Sequence, residues 1–139
     1  MVQNHFFNTE DSNGGWFIGN FPKTVLTTDA FEVSYKRFKK GEKSDGHYHT
    51  KSTEYNLVVE GAVAVMNGKR RMILGPGIGF IYYPNEQSEV EFLENSALIV
   101  IRVPSVNDKE YASGKKDDGS NPRLLSLRDY GSNPELHQK

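Results

Sequence analysis

The chain has no cysteine in its 139 residues, which excludes disulfides, thiolate metal sites, iron–sulfur centres and thiol nucleophiles. It has almost no charge imbalance. Its 17 basic and 18 acidic side chains create no global field to draw nucleic acid or an acidic membrane. Long apolar runs are missing too: the longest, such as residues 97–101, are far too short to span a bilayer. The opening MVQNHFFNTEDSNGG has no basic segment followed by an apolar run, so no signal peptide and a cytoplasmic location are expected. Before residue 104 there is no helical period.

Turn residues are plentiful. Thirteen glycines and six prolines stand between short apolar runs, the pattern of a turn-rich all-β protein. The length suits one domain with a real core and is short for two. The expected divisions are an N-terminal arm at 1–14, a β-barrel domain at 15–110 and a polar tail at 111–139. In the tail, Leu124, Leu125 and Leu127 could pack as one short element. The arm is polar apart from Phe6 and Phe7, which either hang loose or dock on the body or a second subunit. After Pro104, the polar, glycine-punctuated NDKEYASGKKDDGSNP is expected to be a mobile tail or loop.

Within the β region, residues 15–21 read as a strand whose Trp16 packs in a core or an interface, or else contacts a ligand. Residues 31–38 put Phe31, Val33, Tyr35 and Arg37 on one face and Glu32, Ser34, Lys36 and Phe38 on the other. Tyr35 and Arg37 therefore share the side of an apolar pair, where they either hold an anionic or polar ligand or form a solvated edge. Residues 62–66 and 70–73 form a hairpin around Asn67-Gly68, a good signature for a two-residue primed turn. Tyr82 lies with Phe80, while Tyr83 lies on the opposite side with Ile81. Residues 97–103 are apolar on both faces until Arg102.

The most informative stretch is 41–61, GEKSDGHYHTKSTEYNLVVEG, which holds two of only four histidines. His47 and His49 are one residue apart, so on a strand they converge on one face. With Glu54 beyond a polar turn, they make a sensible ligand set for a borderline transition metal. His5 and His137, near the ends, are expected to be solvated.

The spacing Gly41, five residues, His47-x-His49, four residues, Glu54, six residues, Gly61 resembles the first signature motif of the cupin superfamily at every defining position. The likeness covers roughly 31–103 and implies a cupin-type double-stranded β-helix, a jelly-roll barrel. It implies that His47, His49 and Glu54 hold a divalent metal (Fe, Mn, Ni or Zn) inside the barrel. The second motif departs from the pattern: GPGIGFIYYPNEQSEVEF contains no histidine, and Ile78 replaces the usual acidic residue. The fourth ligand position falls at Gln87, a weaker carbonyl donor, or at Ser88. The flanks GGWFIGNF and VPSVNDKEY are similar to those of small stand-alone cupins of undefined activity.

Three functions are compatible with this resemblance. One is a metal-dependent enzyme acting on a small polar organic molecule, with Arg37, Gln87 and Arg102 as ligand-binding candidates. Another is a metal-independent isomerase or epimerase of the sugar-nucleotide kind, with His47 or His49 as base, Tyr35 or Tyr82 as acid, and Glu54 free to act as a base. The last is a non-catalytic ligand-binding barrel. A homodimer is expected, with a small-molecule ligand and neither nucleic acid nor membrane as partner.

Overall fold

A computed structural model describes residues 2, 3, 5–44 and 46–112; Leu124, Leu125, Leu127 and His137 lie outside the described residues. The order of elements is β1 (Val2–Gln3), β2 (Phe6–Phe7), a 3-10 turn (Thr9–Asp11), β3 (Trp16–Gly19), β4 (Leu26–Thr27), β5 (Glu32–Phe38), β6 (His47–His49), β7 (Thr53–Glu60), β8 (Val63–Asn67), β9 (Arg70–Leu74), β10 (Gly79–Tyr82), β11 (Val90–Phe92), β12 (Ser96–Val103) and β13 (Lys109–Tyr111). A six-stranded sheet runs β10-β7-β12-β5-β3-β4, and a three-stranded sheet runs β11-β8-β9. Two short pairs, β13-β6 and β1-β2, complete the set. The protein is all-β, with the mixed antiparallel sheets of a cupin-type double-stranded β-helix. Among the described residues, no helix is long and apolar enough to cross a membrane.

Strand alternation decides which side chains reach the interior. On β7, Glu54, Asn56 and Val58 are buried while Tyr55, Leu57 and Val59 are exposed, the period of two that a half-buried strand requires. β12 lies antiparallel between β7 and β5, and its Arg102 is level with Glu54 on one side and Glu32 on the other. Three charged residues thus form one row across three neighbouring strands. Above that row, Val58, Leu98 and Val100 from the large sheet meet Val63, Val65 and Phe92 from the small one. Burying each of these side chains contributes roughly 1.5–3 kcal/mol. Phe38 stacks on Phe92 at a centroid distance of 4.0 Å, joining the two sheets.

The turns obey local chemistry. β8 and β9 form the expected hairpin, but its two-residue loop is Gly68-Lys69, with Asn67 paired to Arg70. Gly68 takes the positive φ of 63° at the first loop position, where this kind of primed turn demands glycine. Gly61, which ends the histidine motif, has φ 87°, and a Cβ there would overlap the Asn95 carbonyl and Ser96.

Two expectations for the ends change. In the arm, Phe7 docks with its ring 5.4 Å from Phe17, whereas Phe6 stays 76% exposed. The segment after Pro104 is in part a strand: β13 pairs with β6, Lys109 opposite His49 and Tyr111 opposite His47. That pairing comes from a distant partner, which local polarity cannot reveal.

Candidate metal centre

His47 and His49 project from the same side of β6, their rings 5.3 Å apart and nearly perpendicular. Glu54 reaches them from β7. Ligand atoms of the three side chains all lie within 4.8 Å of one another, and Glu54 Oε1 is 3.7 Å from His49 Nε2. Both histidine Nε2 atoms are buried with no hydrogen-bond partner. Buried polar atoms normally find partners, so two partnerless imidazole nitrogens beside a carboxylate fit a bound cation. The cluster is able to coordinate a divalent metal ion.

The electrostatics keep the donors in metal-binding form. Burial opposes ionisation of Glu54, but the Arg102 guanidinium and the neighbouring imidazoles outweigh it and hold the carboxyl at about 2. Arg102 Nε donates to Glu54 Oε1 at 2.9 Å and Asn56 Nδ2 donates to Oε2 at 3.1 Å. Each carboxylate oxygen keeps a second lone pair for an ion. Burial pushes His47 from 6.5 down to about 3, helped by the positive charge of Lys109. His49 is lowered too, by burial and then by Arg102, against the opposing pull of Asp108 and Glu54. Both imidazoles are therefore neutral near pH 7, as ligation requires.

Arg102 is the hub of this arrangement. Its Nη1 donates to Glu32 Oε2 at 3.0 Å, and Ser105 Oγ donates to Glu32 Oε1 at 2.9 Å. The guanidinium also sits 4.5 Å from the ring centroid of Trp16, a cation–π geometry. Burial would lower its affinity for a proton, but the two carboxylates more than reverse that effect.

The cluster opens into a cavity of about 180 Å³ with a mixed lining. His47, His49, Glu54, Asn56, Arg102 and Asp108 contribute polar groups to it, and Phe38, Phe80, Val90, Phe92, Leu98 and Val100 contribute apolar ones.

Of the sequence candidates, His47, His49, Glu54 and Arg102 meet at this centre. Gln87 does not: it is exposed and donates to Glu89 Oε1 at 3.3 Å, outside the cluster. Ser88, the alternative at that position, is buried and lines the cavity instead. Its amide donates to the His47 carbonyl at 2.7 Å, which turns its side chain inward. Tyr35 and Arg37 are on the wrong face. The inward residues of β5 are Glu32, Ser34, Lys36 and Phe38, while Arg37 folds over the Tyr35 ring at 5.3 Å, away from the histidines. Tyr82 is buried on the side of Phe80, as parity predicts, but its hydroxyl meets the Glu89 backbone and is absent from the cavity lining. Burial pushes that hydroxyl's pKa up.

Sequence reasoning missed three side chains. Asn56 follows from Glu54 by parity and was available to it. Glu32 was placed only on the strand face opposite Phe31 and Val33, and that is the face the fold turns inward. Asp108 carries no local signal at all.

No protein-family model and no curated protein matches this sequence. Solved structures do. KdgF from Halomonas sp. is 25% identical with a TM-score of 0.54, over 58% of this chain and 75% of that one. DMSP lyase DddQ from Ruegeria pomeroyi DSS-3 is 12% identical with a TM-score of 0.61, over 73% of this chain and 52% of that one. A conserved protein with a double-stranded beta-helix domain from Klebsiella pneumoniae is 19% identical with a TM-score of 0.58, over 81% and 94% respectively. Fold and donor cluster together define a double-stranded β-helix protein equipped to bind a divalent metal.

Proposed function

We propose that this chain is a small cupin-superfamily protein that holds one divalent metal ion on His47, His49 and Glu54 and takes a compact organic ligand beside it. The observation that carries the reading is the pair of buried, partnerless Nε2 atoms next to an ionised carboxylate at the cavity wall. The three donors resemble the two-histidine, one-carboxylate set of non-haem iron sites. A bound ion would supply Lewis acidity or, if it is iron, dioxygen chemistry. Arg102 and Asn56 orient Glu54, and Trp16 with the apolar wall limits water.

The cavity revises the expected ligand. An apolar void of about 150 Å³ accepts benzene, so about 180 Å³ suits a molecule of that size bearing one polar head. The cluster offers donors to the head, and side chains such as Phe80 and Phe92 offer apolar surface to the body. Sugar nucleotides are far larger. No tyrosine among the described residues lines the cavity, so the metal-independent isomerase reading lacks its acid. Ser88 in place of a fourth imidazole favours a second reading, a metal-assisted binding protein without turnover.

Assembly belongs to the same proposal. Ile81, Tyr55 and Ile101 form a row across adjacent strands on the outer face of the large sheet, with Leu57 and Ile99 in the next. A continuous exposed apolar face marks an interaction surface, and a second copy is the proposed cover.

The test is titration of protein purified without chelator using Co²⁺, Mn²⁺, Ni²⁺ and Zn²⁺, followed by calorimetry and, for Co²⁺, by absorbance. One ion per chain is expected, with His47→Ala abolishing binding. A wild-type chain that binds none of the four would overturn the metal reading.

A further inference from the structure

β13 lies beyond the β-helix core, yet it fastens the strand that carries both histidines. Asp108 begins this strap. Its Oδ1 lies at hydrogen-bond distance from His49 Nδ1, 2.9 Å, and its Oδ2 accepts from the amides of Lys51 and Ser52 at 2.8 Å each. The Asp108 carbonyl accepts from Thr50 N, and Ala112 N donates to the Gly46 carbonyl at 2.9 Å. Ser52 Oγ adds a bond to the Pro104 carbonyl at 2.9 Å. The Asp108 side chain is only 2% exposed, so it is a built component and not a solvated loop acid.

An ionised carboxylate only accepts hydrogen bonds, so the shared proton must sit on His49 Nδ1. That choice of tautomer leaves Nε2 with its lone pair bare. It is also the nitrogen with no partner, 3.7 Å from Glu54 Oε1. We propose that Asp108 is a positioning residue that fixes the tautomer and ring angle of His49, delivering a ready-made Nε2 donor to the cluster from a strand outside the β-helix core. A carboxylate behind a ligating imidazole also raises its basicity. The consequence for metal affinity rests on the metal reading above; the tautomer does not.

The test compares metal-free wild type, Asp108→Ala, Asp108→Asn and Ser52→Ala by long-range ¹H–¹⁵N imidazole spectra near neutral pH, then by Co²⁺ titration. Ser52→Ala loosens the same strap without touching His49. Wild type and Ser52→Ala should show one His49 tautomer, protonated at Nδ1. The Asp108 variants should show a tautomer mixture and bind Co²⁺ about 10–100-fold more weakly. Should Asp108→Ala not fold, the shape-preserving Asp108→Asn carries the comparison. An unchanged tautomer and unchanged Co²⁺ affinity in the Asp108 variants would overturn the proposal. So would an equal loss in Ser52→Ala, which would assign the effect to the strap alone. A wild type that binds no Co²⁺ but loses its tautomer on Asp108 substitution would sink the metal reading and leave the positioning role standing.

Discussion

The six-stranded sheet differs from an ordinary β sheet on both faces, because a charged row lies inside beside the core residues Val58, Leu98 and Val100 and apolar side chains lie outside. Its inner face carries Glu32, Ser34, Glu54, Asn56 and Arg102, all buried or nearly so. Its outer face carries Tyr55, Leu57, Val59, Ile81 and Val103, each at least 36% exposed. Charges normally stay in water and aliphatic side chains normally leave it. Here three of the inward charges form one cross-strand row, Glu32–Arg102–Glu54, in which Arg102 pairs with both acids. The row sustains the centre, and the outer face is left for a partner. Burying such a row stabilises little by itself, because desolvation offsets most of the Coulomb attraction. Its role is to keep Glu54 ionised and in place.

Breaking the inner row should have the largest effect. Arg102→Met removes the guanidinium that bridges two buried carboxylates, and breaking a buried ion pair by removing one partner costs about 3–5 kcal/mol. Urea unfolding of the metal-free chain measures it. A loss below about 1 kcal/mol, the scale of a surface pair, would mean that the row is solvated and the contrast between faces is false.

Acid should act on the same face with a smaller effect. His47 titrates near 3 in the fold against 6.5 when free. Between those values the unfolded chain binds the proton and the folded one does not, so stability falls as pH drops through that window. Glu54, lowered from 4.5 to about 2, keeps its contribution above 4.5 and loses it as pH falls from there through about 2. From pH 6.5 to 4.5 the histidines therefore dominate, and His47 alone accounts for a fall on the order of 2 kcal/mol. His47→Gln should flatten that slope. An unchanged slope in the variant would remove His47 from the account.

How much of this was legible depended on whether the deciding partner was local. The motif spacing in 41–61 placed His47, His49 and Glu54 on converging strands, and the alternation of β7 showed which side they face. β5 misled, because its apolar residues Val33 and Tyr35 lie outward and its acid Glu32 inward. Hydrophobic alternation sets the period of a strand, but only its neighbours set which face is buried. Gln87 was misplaced for a related reason. β11 starts only at Val90, after a turn where Asn85 has φ 69°, so parity cannot be carried from β10 to Ser88. Asp108 was invisible because a three-residue strand exists only through its pairing with β6.

The outer face supplies the smallest effect on the chain and the sharpest test of the contrast. Leu57 sits mid-strand on β7 between Gly79 of β10 and Ile99 of β12, and is 42% exposed. Leu57→Lys adds a charge to water in an isolated chain, so monomer stability should move by no more than about 0.5 kcal/mol. The same charge would be desolvated inside the proposed pair of copies, and sedimentation should then show dimeric wild type and monomeric variant. Co²⁺ affinity should not change, since Leu57 faces away from His47, His49 and Glu54. A monomeric wild type would remove the second copy as the cover. A large loss of monomer stability would show that Leu57 belongs to the core, and the two faces would no longer be opposites.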